Sequence, residues 1–330
     1  MKPSYIIDQR TLLLDLLGTL QTFNDSSDRY FSQIGEKEVI NPFQYDFQIR
    51  ADGINESIPA EFFTEIGIRS VTLNKLHDRF ALPVGITLPV TRNTDQYGWY
   101  HFRNEPFLKN LKTVLTDCQV IVFSDWAFVD SASQLWDGFL SDVIKPLHRK
   151  DLHFIFYLGD PAKKPAPEVD EIIDIISDFS SHGQVTLLLN ENEALKLWMV
   201  LHGQDPGRTL DNAKSPGLKE KYQSIFNTMN VNHLLIYSVD HAILFSGQQQ
   251  FELRAKATTN RTISQNVKDN FNAGYSLGLL LQLDISHCVA LGLTVSGAYI
   301  ATGTSPDREA LLSYIKRWIG ELEAGNPIVA

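Results

Sequence analysis

The stretch QNVKDNFNAGYSLGLLLQLD, residues 265–284, opens with polar residues around one carboxylate, Asp269. It then turns apolar, with Ala273, Gly274 and Gly278 as small residues that permit close backbone approach. This pattern predicts a buried helix from about Asn270 to Leu283. The start of a buried helix exposes unbonded N–H groups and the positive end of the helix dipole, which suits an anion. A carboxylate placed there could take a proton from a hydroxyl beside a bound phosphate. It could equally act only as an N-cap, a common role for Asp. Lys268, just before it, has three open roles: a structural or surface lysine, a partner of Asp269 that lowers its basicity, or a ligand for phosphate.

A second group is LLLNENEA, residues 187–194. Asn190 and Glu193 stand three apart, just after a strand pattern and at the opening of a helix pattern. In an open α/β sheet, ligands sit at the carboxyl ends of strands. An Asn/Glu pair there could organise waters on a magnesium ion beside phosphates. The same spacing is a capping arrangement that needs no ligand. GDPAKK, residues 159–164, also follows a strand pattern. Its Asp160 and Lys163 could line a cleft near phosphates, or be a turn residue and a solvated lysine. VSGAYIATG, residues 295–303, reads on pattern alone as a small-residue packing helix.

The elements that must position these groups are clearest after residue 110. CQVIVFSD (118–125), LHFIFYLGD (152–160), QVTLLLN (184–190) and HLLIYSV (233–239) are short apolar runs rich in β-formers. Helical patterns separate them, one of which places Val169, Ile172, Ile173, Ile176 and Phe179 on one stripe. Strands alternating with helices predict a parallel sheet covered on both faces. AILFSG and QFELRAKAT then read as a hairpin around Gly247 and Gln248, and three helices close the chain. The last helix has Ser305 as a plausible N-cap, Pro306 as first helical residue, and a stripe of Leu311, Leu312, Ile315, Trp318 and Ile319. Before residue 110, residues 81–103 read as a β-hairpin with a polar tip, SIPAEFFTEIG as a helix and IRSVTL as a strand.

Bulk properties bound the function. The 330 residues are 43% apolar and 21% charged, enough for a large core. A net charge of -10 argues against a nucleic-acid binder. Cys118 and Cys288 are isolated in apolar settings and read as reduced core residues, and no Cys/His spacing resembles a zinc site. The amphipathic N-terminus has no signal-peptide pattern, and no run of 18 apolar residues is evident. The expectation is a cytoplasmic protein with no membrane or nucleic-acid partner.

Taken together, the strand-N-x-x-E-helix segment and the later D-x-F-N-A-G helix resemble the PfkB (ribokinase-like) carbohydrate kinase family over roughly residues 110–320. The resemblance implies a single ribokinase-like α/β domain over residues 1–330. Its three layers would enclose a mostly parallel central sheet, with a small β-lid drawn from about 10–45 and 82–104. It implies an ATP-dependent phosphotransferase acting on a sugar hydroxyl, with Asp269 as catalytic base. Asn190 and Glu193, with Asp160 and Lys163, would serve ATP and Mg2+, the metal being held through water near Glu193 rather than directly. Ala298 and Gly303 would flank adenine. Asp15, Gly53, Asn55 and Arg92 would meet the sugar. Tyr97, Trp99, Tyr100 and Phe102 would give the lid an aromatic surface for a homodimer.

The sequence departs from the family in one place that matters. Where the family has Gly-Ala-Gly before its Asp, this chain has Asn266, Val267 and Lys268. Glycine permits the positive φ that lets backbone N–H groups reach a phosphate, and β-branched Val267 disfavours such a turn. Lys268 offers a charge in place of that anion hole. A second reading follows, a catalytically impaired relative that binds a sugar or nucleotide as a sensor or partner protein.

Overall fold

The computed structural model describes residues 7–25, 38–41, 70–72, 99–101, 103–116, 118–123, 126–128, 130–206, 217–247, 249–256 and 264–324. Among these, eight strands form one sheet in the order β2-β1-β3-β4-β5-β6-β7-β8. They are β1 (Glu38–Asn41), β2 (Ser70–Thr72), β3 (Cys118–Phe123), β4 (Leu152–Phe156), β5 (Gly183–Asn190), β6 (His233–Tyr237), β7 (His241–Ser246) and β8 (Gln250–Arg254). Pairing is parallel from β2 through β6 and antiparallel for β7 and β8. The four apolar runs after residue 110, the IRSVTL strand and the hairpin at Gly247 are therefore all present.

Alternation along each strand divides the core into two. Ile121, Phe123, Phe154, Phe156, Leu187, Leu189 and Ile236 face one side. There they meet α2 (Glu105–Thr116), α3 (Ala132–Phe139), α4 (Ala166–Phe179), α5 (Glu191–Leu201) and α6 (Leu218–Met229). Val120, Val122, Ile155, Leu188, Leu235 and Leu244 face the other side. There they meet α1 (Gln9–Asp25), α7 (Gln265–Leu280), α8 (Ile285–Thr302) and α9 (Arg308–Glu323). Strands buried on both faces read as continuous apolar runs, which is why the sequence marks them so clearly. The result is the expected ribokinase-like three-layer arrangement.

The hairpin of α7 and α8 carries the candidate base. Its glycines sit where the two helices nearly touch. A Cβ on Gly274 would lie 2.6 Å from the Leu291 carbonyl oxygen, and one on Gly278 would lie 2.7 Å from the Cys288 Cα. By length and composition α8 could cross a membrane, a run that the sequence reading missed. Its residues Cys288 to Ser296 are buried, however, against α7 and the sheet, which is the setting of a core helix.

Three sequence expectations need correction. Residues 9–25, expected from about residue 10 to belong to the β-lid, form α1, because Leu12, Leu13, Leu16 and Leu20 fall on one helical stripe and bury it against the α9 side of the core. Asp15, expected to meet a sugar, is an exposed residue of that helix. The last helix begins at Arg308, not Pro306. Its N-cap is Asp307, whose side chain accepts from the Ala310 N–H at 2.8 Å, and not Ser305.

Candidate functional site at the carboxyl edge of the sheet

The carboxyl ends of β4, β5 and β6 converge on the first turns of α7. β5 ends in Asn190, which N-caps α5. Its side-chain oxygen accepts from the Glu193 N–H at 2.8 Å, and Glu193 Oε2 accepts from the Asn190 N–H at 2.9 Å. This is the capping box that the spacing allowed, with an acid well placed at the positive end of a helix. β6 ends in Tyr237, whose ring stacks on Phe271 of α7 at 4.9 Å between centroids. Tyr157 follows β4, and its ring centroid lies 5.1 Å from the Lys268 Nζ.

Lys268 decides the character of this edge. Its Nζ donates to Glu193 Oε1 at 3.0 Å, and the side chains are 5% and 10% exposed. None of the three roles open in the sequence included this partner. Lys268 is a structural lysine, buried, and its ion pair crosses from α7 to α5.

The helix start also differs from expectation. α7 begins at Gln265, about five residues ahead of the predicted start, because Ser264 is extended and caps it. The Ser264 Oγ accepts from the Val267 N–H at 3.3 Å, and its carbonyl accepts from the Lys268 N–H at 3.2 Å. Asn266, Val267 and Lys268, which stand where the family has its phosphate-cradling Gly-Ala-Gly, are thus in the first helical turn. Val267 is 5% exposed and packs inward. The Asn266 side chain donates to the Tyr299 hydroxyl of α8 at 2.9 Å. Asp269 is half-buried one turn into the helix and is not its N-cap.

The other expected site residues are engaged in structure. Asp160 Oδ1 accepts from the Ala162 N–H at 3.0 Å, and Oδ2 accepts from Lys196 Nζ at 2.6 Å. The Lys163 Nζ lies 3.7 Å from the centroid of the Phe128 ring. Ala298 is 3% exposed within the core, so it is not open to a base, while Gly303 caps α8 with φ 77 at an exposed position. Trp99, expected on a lid surface, is buried and donates from Nε1 to Asp142 Oδ2 at 2.6 Å. Tyr100 is 70% exposed. Gly53, Asn55, Arg92, Tyr97 and Phe102 lie outside the described residues.

Sequence reasoning missed a polar cluster beside the capping box. His241 Nδ1 lies 2.8 Å from Asp240 Oδ1, and its Nε2 lies 3.4 Å from Glu191 Oε1. The Ser238 hydroxyl also donates to Asp240. Burial pushes the Glu191 carboxyl up, and His241 opposes that shift. The signal was a short polar run, SVDH, between two apolar strands, easily read as a turn.

The magnesium role expected of Asn190 and Glu193 can be tested on these donors. Both Glu193 oxygens and the Asn190 side-chain oxygen already accept hydrogen bonds, one of them from an ammonium. The Glu193 charge is thus already balanced by the Lys268 ammonium, which disfavours a second cation beside it.

No curated protein matches the chain in sequence. Among solved structures, it is similar to the pyridoxal kinase of Staphylococcus aureus in complex with pyridoxal, at 12% identity and TM-score 0.48, covering 84% of this chain and 94% of that one. It is also similar to Arabidopsis thaliana ribokinase complexed with ribose and ATP, at 14% identity and TM-score 0.43, covering 63% and 59%. A third is the ribokinase of Thermotoga maritima, at 15% identity and TM-score 0.41, covering 62% and 59%. The chain spans about three fifths of the length of several such structures. The family model for prokaryotic ketohexokinase matches residues 60–318, well over half of the sequence, and the chain belongs to that family.

Proposed function

We propose that this protein is an ATP-dependent phosphotransferase acting on a hydroxyl of a ketose or related small sugar, with Asp269 as general base. The observation that carries the reading is the position of Asp269, half-buried on the first turns of α7 where the carboxyl ends of β4, β5 and β6 meet. Ligands of open α/β sheets bind at this edge. In the reaction, the Asp269 carboxylate takes the proton of the sugar hydroxyl. The freed oxygen attacks the γ-phosphorus of ATP, the bond from phosphorus to the β–γ bridging oxygen breaks, and ADP leaves with that electron pair. Membership in the ketohexokinase family supports a ketose over other acceptors.

A second reading is favoured by one observation. Among the described residues, Ser264 takes the Val267 and Lys268 N–H groups and Glu193 holds the Lys268 ammonium, so these donors are already engaged beside Asp269. Removing one such preorganised donor costs about 10²–10³ in rate. On this reading the protein binds a sugar or nucleotide without turning it over.

Calorimetric titration with ATP, followed by ADP release over a panel of ketohexoses, ketopentoses and aldoses, separates the two. Turnover on a ketose that falls by about 10²-fold or more in Asp269→Asn supports the kinase. Nucleotide or sugar binding without turnover on any acceptor supports the second reading. Turnover that survives in Asp269→Asn removes Asp269 from its role.

A further inference from the structure

We infer that the Lys268 ammonium occupies the place of a divalent cation beside the Asn190–Glu193 turn, and that this turn binds no such ion. A hard dication needs oxygen lone pairs, either directly or through its own ordered waters. Glu193 Oε2 accepts from the Asn190 N–H at 2.9 Å, Glu193 Oε1 from Lys268 Nζ at 3.0 Å, and Asn190 Oδ1 from the Glu193 N–H at 2.8 Å, so all three oxygens are already engaged and the Glu193 charge is already paired. Glu193 is 8% exposed and Lys268 4%, so the two charges face each other with little solvent between them. A dication there would also meet the fixed positive charge of Lys268 across a poorly solvated gap, where repulsion between like charges is weakly screened.

The arrangement is built into the fold. Lys268 projects from α7 at a position set by the Ser264 cap, with the Tyr157 ring 5.1 Å from its ammonium as a further favourable contact. The electrostatic service of a cation next to Glu193 is thus delivered by a covalently attached, singly charged group. It follows that any divalent ion accompanying a nucleotide is not anchored at this turn. The inference concerns cation binding alone and stands apart from whether the protein transfers phosphate.

The test is a Mn2+ titration of the nucleotide-free full chain, followed by the electron paramagnetic resonance of free Mn2+. Four forms are compared: wild type, Glu193→Gln, Lys268→Met and the double variant. Gln retains an acceptor for the capping box and for the Lys268 ammonium, so Glu193→Gln should lose stability but keep the turn. The expected result is a Mn2+ isotherm that is the same in wild type and Glu193→Gln. Lys268→Met should bind Mn2+ about tenfold more tightly than wild type or more, a gain lost again in the double variant. Wild-type Mn2+ binding that weakens about tenfold in Glu193→Gln overturns the inference, as does a folded Lys268→Met that binds Mn2+ no more tightly than wild type. Should Lys268→Met fail to fold, Lys268→Gln takes its place with the same two outcomes. Because the titration reads no turnover, a failed kinase assay leaves its result intact, and the reverse also holds.

Discussion

The Lys268 ammonium lies 3.0 Å from the Glu193 carboxylate, a contact between residues 75 apart that joins the first turn of α7 to the first turn of α5. The two stretches singled out for chemistry in the sequence are therefore one physical unit. Glu193 serves two masters, the capping box through one oxygen and Lys268 through the other. The carboxyl edge of the sheet is thereby pinned from both helix layers.

Breaking this pair from one side should be costly. Lys268→Met leaves a nearly buried carboxylate without its counter-charge, and we expect a loss of about 3–5 kcal/mol in unfolding free energy. Lys268→Met with Glu193→Gln removes both charges and should recover most of that loss, since a neutral buried pair escapes the desolvation penalty. Urea midpoints for the four forms give the coupling energy directly. Equal losses in the single and double variants would mean that Lys268 acts by packing alone.

Glycines that look alike in the sequence should behave in opposite ways. Gly274 faces the Leu291 carbonyl oxygen, where a Cβ would lie at 2.6 Å, and backbone cannot easily give way. Gly274→Ala should destabilise by roughly 1–3 kcal/mol through overpacking. Gly320 lies inside α9 with nothing within 4 Å of a built Cβ. Gly320→Ala should stabilise by about 0.4–1 kcal/mol, because it narrows the unfolded ensemble and suits a helix. Thermal melts of the two variants should move in opposite directions.

Legibility followed the range of the interaction that decided each feature. β3 to β6 were readable because strands buried on both faces are continuous apolar runs, and the α4 stripe was readable because helix periodicity is local. The capping box of Asn190 and Glu193 was readable because its partners are three residues apart. The start of α7 was not, since Ser264 and Asp269 are both competent caps. The inward packing of Val267 and Lys268 decides between them. The N-terminal leucines had helical spacing, yet the β-lid implied by the resemblance took precedence over it. The partner of Lys268 was beyond any local pattern, because only the fold brings residue 193 to residue 268.

The Tyr275 hydroxyl and the Thr186 hydroxyl lie 2.9 Å apart, tying α7 to the centre of β5 in a buried setting. Tyr275→Phe leaves the Thr186 hydroxyl buried without this partner, and should cost about 1–3 kcal/mol. Adding Thr186→Val removes the orphan as well, and should return much of the loss, because deleting both partners of a buried hydrogen bond is far milder than deleting one. Chemical denaturation of the single and double variants tests this asymmetry. A double variant as weak as the sum of its parts would locate the stabilisation in packing.

Stability should fall on mild acidification through His233. Burial within the sheet lowers its folded-state pKa from 6.5 to about 4, and the nearby His153 adds to the effect. The unfolded chain therefore binds a proton near pH 6.5 that the folded protein refuses until about pH 4. The stabilisation is complete above the unfolded value and is lost as pH drops through this window, by about 3 kcal/mol at most between pH 7 and pH 4. His153, also lowered by burial although Asp151 opposes the shift, acts in the same direction. Urea unfolding followed from pH 7 to pH 4 should show this slope, and His233→Gln should flatten it. A slope unchanged by His233→Gln would assign the acid sensitivity to the carboxylates instead.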